Sequence, residues 1–238
     1  MSVILNIETS SEICSVAVSV DGTVDFHIES DEAMQHSRAL ADYVEKALSH
    51  IARREMPLDA VAVSLGPGSY TGLRIGLSLA KGLCFAREIP LIGLSTLEIM
   101  AVKGMFACHD SEGDDLLVPL IDARRMEVYT AVYDFALRPV LPPQPMILDE
   151  ASFRDIEPGR RMLFIGNGVT KAKELLASDR SVFLSARMPV AMDMVALAER
   201  AFRNSDFVDP AYVVPLYLKE YQASTPKNKV LRENAAAR

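Results

Sequence analysis

A chain of 238 residues that is half apolar can bury one large core or two smaller ones, and its formal charge of −7 excludes binding of nucleic acid by surface charge alone, because an acidic surface repels phosphate backbones. No run reaches the roughly 18 uncharged apolar residues of a membrane helix, and the opening MSVILNIETS reads as a strand rather than a signal peptide. Three cysteines, Cys14, Cys84 and Cys108, with no C-x-x-C pair, point to buried thiols in a reducing cytoplasm, not to disulfides or a zinc site.

Val3–Ile7 and Ser15–Val20 are apolar runs of strand length, and Asp21-Gly22 is a hairpin signal leading into Val24–Ile28. From His36 to Glu55 the residues Leu40, Val44, Ala47, Leu48 and Ile51 recur at helical spacing. DAVAVSL, ending at Leu65, predicts a strand; a glycine-rich loop and a helix from about Thr71 to Arg87 follow, then a strand over Pro90–Ser95 and a helix over Thr96–Ala107. The acidic stretch HDSEGDD from His109 reads as a boundary. Beyond it, LLVPLID ending at Asp122 and MEVYTAVYD from Met126 predict strands, and RPVLPPQP an extended edge or a loop. Met162–Ile165 is a strand before Gly166-Asn167-Gly168 and a helix to about Ala177; Met192–Phe202 is the last amphipathic helix, and the polar stretch 222–238 is expected to be a loosely held tail.

An offset of 114 residues sets VILNIETSSEICSVAVSV on LLVPLIDARRMEVYTAVYD, with Glu8 on Asp122. Each half then reads strand, acidic residue, turn, strand, and later strand, Gly-x-Gly, helix, with Gly66/Gly68 in one half and Gly166/Gly168 in the other. This predicts a duplicated α/β unit of the actin/hexokinase/Hsp70 (ribonuclease H-like) kind, with one subdomain over 1–108 and the second over 109–221, the last helices packing back on the first.

The loop SLGPGSYTGLRIG, from Ser64 to Gly76, matches no phosphate-binding register. A Walker loop needs a lysine that is absent, and a dinucleotide fingerprint needs glycine where Thr71 stands. Backbone N–H groups at the start of the following helix could hold an anion beside Ser69, although Pro67 removes one donor; the simpler reading is a tight turn with Thr71 as N-cap. Within that helix Gly72, Gly76, Ala80 and Cys84 recur every four residues, which lets another helix approach closely, either from a partner or from this chain. Glu8 with Thr9, and Asp122, stand at the turns where aspartates of such phosphotransferases orient a metal, but the first turn lacks glycine and the second carries Arg124 and Arg125, which favours structural capping. Four histidines form no H-x-x-H or H-x-x-x-H pair, and no Ser/His/Asp set is recognisable.

GPGSYTGLRIGLSLAKGLCFAREIPLIGLSTLEIMA, together with LNIETSS, the His36–Leu40 stretch, IDARRMEVYTAVY and PLYL at Pro215–Leu218, closely resembles the bacterial TsaB (YeaZ) family across nearly the whole chain. The resemblance implies a subunit of the cytoplasmic machinery that makes threonylcarbamoyladenosine next to the tRNA anticodon. Its paralogue TsaD has a His-x-x-x-His metal motif after the corresponding Ile-Pro strand, whereas Gly93–Met100 holds no histidine here. The implied role is therefore non-catalytic: pairing with TsaD, with a TsaE-like ATPase in the same complex, ATP and metal on those partners, tRNA contacted mainly through the assembly, and a homodimer in isolation. The pairing helices map to His36–Glu55 and Thr71–Arg87, which makes Leu40, Val44, Leu48, Gly72, Gly76, Ala80, Lys81 and Cys84 candidate interface residues, and leaves Glu8, Thr9, Gly66, Gly68, Ser69, Asp122, Gly166 and Gly168 as vestigial nucleotide loops. Glu8 replaces the frequent Asp of relatives, Tyr70 a Phe and Met126 a Gly. The alternatives are an ATP-dependent phosphotransferase on the same superfold and, on weaker grounds, a metallopeptidase.

Overall fold

The computed structural model describes residues 1–30, 36–108, 110, 113–184 and 188–219, with the side chains of 36–38 excepted; the expected tail and residues 109, 111 and 112 of the expected boundary 109–115 lie outside the described residues. The first half runs β1 (Val3–Glu8), β2 (Cys14–Val20), β3 (Thr23–Ser30), α1 (His36–Arg53), β4 (Ala60–Gly66), α2 (Tyr70–Arg87), β5 (Leu91–Ser95) and α3 (Thr96–Ala107). The second runs β6 (Leu116–Asp122), β7 (Glu127–Tyr133), β8 (Pro139–Ile147), β9 (Met162–Ile165), α4 (Val169–Leu175) and β10 (Ser181–Phe183), then a 3-10 turn over Ala191–Met194 and α5 (Val195–Arg203).

The strands form two five-stranded sheets, ordered β3-β2-β1-β4-β5 and β8-β7-β6-β9-β10. In each, the first strand of the half lies centrally, antiparallel to its hairpin partner and parallel to the fourth strand. The two sheets therefore share one topology, and the chain has the duplicated actin/hexokinase-like fold expected from the internal repeat. The match reaches single residues: Gly66 and Gly166, each at the end of the fourth strand of its half, have φ of +107° and +114°, a region that side chains rarely adopt.

Alternation along the strands builds the layers. Val3, Leu5 and Ile7 of β1, with Val61 and Val63 of β4, face the core under α1 and α2, while Ile4, Ala60 and Ala62 face α3 and α5. In the second sheet Leu117 and Ile121 face α3, and Leu116, Val118 and Leu120 face α4. Helix α3 is apolar on nearly every side because it is buried between the two sheets. Helix α5 returns to the first sheet, packing Leu197, Ala198 and Ala201 beside Ile92 and Leu94.

Several boundaries differ from those the sequence predicts. Helix α2 begins at Tyr70 and not Thr71, because the Ser69 side chain caps it by accepting the Gly72 N–H at 3.2 Å. The Pro-rich stretch is an edge strand, β8, where missing N–H donors are tolerated. β10 is three residues long, too short to register as a period.

Candidate functional site

The two lobes face each other across a cleft with two adjoining cavities. One, of about 700 Å³, is walled by Ser10, Ser69 and Thr71 from the first lobe and Asp122, Tyr129 and Asn167 from the second. The other, of about 590 Å³, lies between Pro67–Tyr70, the turn Asp122–Arg124 and the segment Leu216–Lys219. A phosphate in such a cleft needs backbone N–H groups aimed into it and carboxylates free to orient a cation.

In the first lobe those groups are engaged within the chain. Ser69 donates its N–H to the Ser10 carbonyl at 2.6 Å, and a Cβ at Gly68 would lie 2.2 Å from that same oxygen. Gly68 is thus required for close packing of loop on turn. Glu8 is fully buried beneath the turn: its Oε1 accepts the Ser10 N–H at 2.6 Å and the Ser64 hydroxyl at 3.0 Å. Burial pushes its carboxyl up to about 7, against the pull of these hydrogen bonds. Thr9, also fully buried, sits behind the loop, its carbonyl against Gly72 and its hydroxyl against Gly76.

In the second lobe the glycine loop is bonded to the strand and not to the turn, and the acidic residue is exposed. Gly168 donates its N–H to the Leu120 carbonyl at 3.1 Å, and a Cβ at Gly166 would stand 2.4 Å from that oxygen. Asp122 reaches the cavity wall, where its Oδ1 accepts the Arg124 N–H at 2.6 Å and the Lys171 ammonium at 2.7 Å. Burial raises the affinity of Asp122 for a proton, but the Lys171 hydrogen bond, the Arg124 N–H and the Lys171 charge outweigh it and hold the carboxyl below its ordinary range. Its own N–H is fixed by Asn167 Oδ1 at 2.8 Å. Arg124 and Arg125 both take positive φ, +72° and +50°, in a tight turn closed by the Glu127 N–H on the Arg124 carbonyl at 3.1 Å.

Of the residues assigned to vestigial loops, Gly68, Ser69 and Asp122 therefore line the cleft. Glu8 and Thr9 lie behind its wall, and Gly66, Gly166 and Gly168 shape the turns. The structure adds Ser10, Tyr129, Asn167, Lys171 and the segment Leu216–Lys219. Asn167 had a signal, its place between two glycines, and Leu216–Leu218 fell in the PLYL match; Lys171 and Lys219 are brought in only by tertiary packing. Among the described residues no group of three or more His, Cys, Asp or Glu side chains is placed to hold a metal ion, and no helix is long and apolar enough to cross a membrane.

The helix faces need a correction. The small-residue stripe of α2 faces inward: Gly72 and Gly76 abut Thr9, while Ala80 and Cys84 are buried in the core of this lobe. Leu40 of α1 is fully buried in the same core. These positions, expected to meet a partner helix, meet the chain's own turn and sheet. What α1 and α2 present outward is a groove of about 470 Å³, with Val44 in its floor and Leu48, Leu79 and Leu83 along its sides, rimmed by Glu45 and Arg87. Lys81 is half-buried, and Phe85 stands 88% exposed, pointing away from Leu83 and the groove.

A family model described as TsaD, tRNA N6-adenosine threonylcarbamoyltransferase, matches residues 30–141. The tRNA threonylcarbamoyladenosine biosynthesis protein TsaB of Escherichia coli (strain K12) is 32% identical over 231 residues, spanning 91% of this chain and 94% of that protein. The protein of the same name from Bacillus subtilis (strain 168) is 32% identical over 176 residues, 73% of this chain and 74% of that one. Among solved structures, YeaZ from Pseudomonas aeruginosa superimposes with a TM-score of 0.76 at 26% identity, covering 92% of this chain and all of that one.

Proposed function

The chain belongs to the TsaB family of tRNA threonylcarbamoyladenosine biosynthesis proteins, and we propose that within that pathway it is a non-catalytic subunit that pairs with a catalytic TsaD through α1 and α2. The observation that carries this reading is the outward groove between those helices, apolar along its length and charged at its rim. An exposed apolar groove with a charged rim is the kind of surface from which a helix-on-helix interface is built. In isolation the same groove would serve a homodimer.

The cleft supports the non-catalytic half of the reading. Ser69 and Gly168 give their amides to Ser10 and Leu120, Glu8 is buried, and Asp122 is paired with Lys171, so a triphosphate in the cleft could recruit these groups only by displacing internal hydrogen bonds. On this reading ATP and metal belong to the TsaD and TsaE subunits, and tRNA is held by the assembly as a whole. The reaction chemistry is the partner's; this chain contributes the surface that stabilises TsaD in its active form.

The test is co-expression with TsaD of the same organism. The wild-type chain should co-purify with it in a one-to-one complex, and an assay of tRNA modification should require both chains. Leu79→Glu and Leu83→Glu should abolish co-purification and modification together. ATP turnover by the purified chain alone would overturn the reading, and so would a complex indifferent to both substitutions.

A further inference from the structure

The last described segment, residues 208–219, passes from one lobe to the other. Val208 starts it by donating its N–H to the Leu91 carbonyl at 2.9 Å in an antiparallel bridge beside β5. Val208 and Val213 pack on the core under α1 and α2, and Leu216 donates its N–H to the Leu65 carbonyl of β4 at 2.7 Å. Up to Leu216 the segment is held on the first lobe by backbone hydrogen bonds and apolar burial.

The next three residues are held differently. The Tyr217 hydroxyl accepts from Arg74 Nε at 3.0 Å, and the Arg74 guanidinium lies 3.9 Å from the centre of the Tyr70 ring, so the two tyrosines and the arginine form one partly exposed stack on α2. Leu218 turns to the second lobe and packs on the core that contains Leu117 and Ile121. Lys219 closes the crossing with an ion pair to Glu127 of β7, at 2.8 and 3.0 Å from its two oxygens. These residues form one wall of the 590 Å³ cavity, whose other walls belong to both lobes.

We infer that residues 217–219 are a salt-sensitive latch between the lobes, which in its closed state covers the cavity and fixes the β6–β7 turn against the loop Pro67–Tyr70. The anchored part, 208–216, stays in place when the latch opens. Tyr217 is tied to the first lobe by a partly exposed cation–π stack, so the crossing itself rests on the half-buried Leu218 and on the Lys219–Glu127 ion pair, which is weak and screened by salt. Opening frees the cavity mouth and releases the β6–β7 turn from the loop that leads into α2. The inference is independent of which protein occupies the groove between α1 and α2.

Hydrogen–deuterium exchange on the full chain tests it, read by peptide mass spectrometry for the wild type, Lys219→Glu, Glu127→Lys and the double charge swap. Both single variants should exchange amides of 68–70 and 122–127 roughly fivefold or more faster, on both sides of the cleft, with β1 unchanged. The double swap should restore wild-type protection, and raising salt from about 0.05 M to about 0.5 M should move the wild type towards the single variants. Exchange that rises only within 208–219, or both turns as protected in the single variants as in the wild type, would overturn the latch; so would a double swap that restores nothing.

Discussion

Ser69 donates its backbone N–H to the Ser10 carbonyl at 2.6 Å, so the glycine-rich loop is bonded to the first hairpin turn of its own lobe. Gly68 is what permits this, since any Cβ there would lie 2.2 Å from the Ser10 oxygen, and a backbone atom cannot swing aside. Gly68→Ala should therefore cost about 2–4 kcal/mol of stability, as strained close-packed sites do. Gly82 of α2 offers the control: a Cβ there meets nothing within 4 Å, so Gly82→Ala should stabilise by up to about 1 kcal/mol through helix propensity. Urea unfolding of the two variants should give opposite signs.

Gly76 is the second test of an inward-facing stripe. Its missing Cβ would stand 2.3 Å from the Thr9 hydroxyl, a buried group without a hydrogen-bond partner among the described residues. Gly76→Ala should destabilise the chain, and Thr9→Ala, which removes that hydroxyl, should recover part of the loss. A double-mutant cycle should therefore give a coupling of about 1 kcal/mol or more between the two sites. Additive effects would mean that the helix does not press on Thr9.

Glu8 predicts a pH dependence whose sign is fixed by its environment. Its folded carboxyl is pushed up to about 7 from an ordinary value of 4.5, so the folded state binds this proton more tightly than the unfolded state does. The corresponding stability is present in full below pH 4.5 and is lost as pH rises to about 7, a change of about 3 kcal/mol. Glu8→Gln mimics the protonated form. It should match the wild type near pH 4.5 and exceed it in stability near pH 8, in denaturant titrations at each pH.

Much of the fold was legible because the repeat carried its own alignment: Glu8 on Asp122 and the paired Gly-x-Gly turns specify two copies of one sheet, and the strand orders agree. The amphipathic pattern also located α1. The facing of α2 was not legible. Small residues every four positions say that something approaches closely, and the sequence contains nothing that separates a partner helix from Thr9 of the same chain. The cleft was legible only in part, because Lys171 meets Asp122 across 49 residues of sequence and Lys219 meets Glu127 across 92. Such pairs are made by packing, and local periodicity does not encode them.

The same facing decides which substitutions probe association. Ala80 is fully buried, so Ala80→Arg would place a charge in the core under α2 and unfold the lobe before it reported on any partner. Phe85 is 88% exposed, and Leu83 lines the groove without being enclosed by it. Phe85→Asp should leave the melting temperature within about a degree of the wild type, as surface changes of this kind cost little. Leu83→Glu, which places a charge in the groove itself, should weaken association by about 2 kcal/mol, roughly thirtyfold in Kd, while Phe85→Asp on the other side of α2 should not. Sedimentation equilibrium of the isolated chain and titration against TsaD should both register that shift; a Kd unchanged within twofold in both would place the interface on another face.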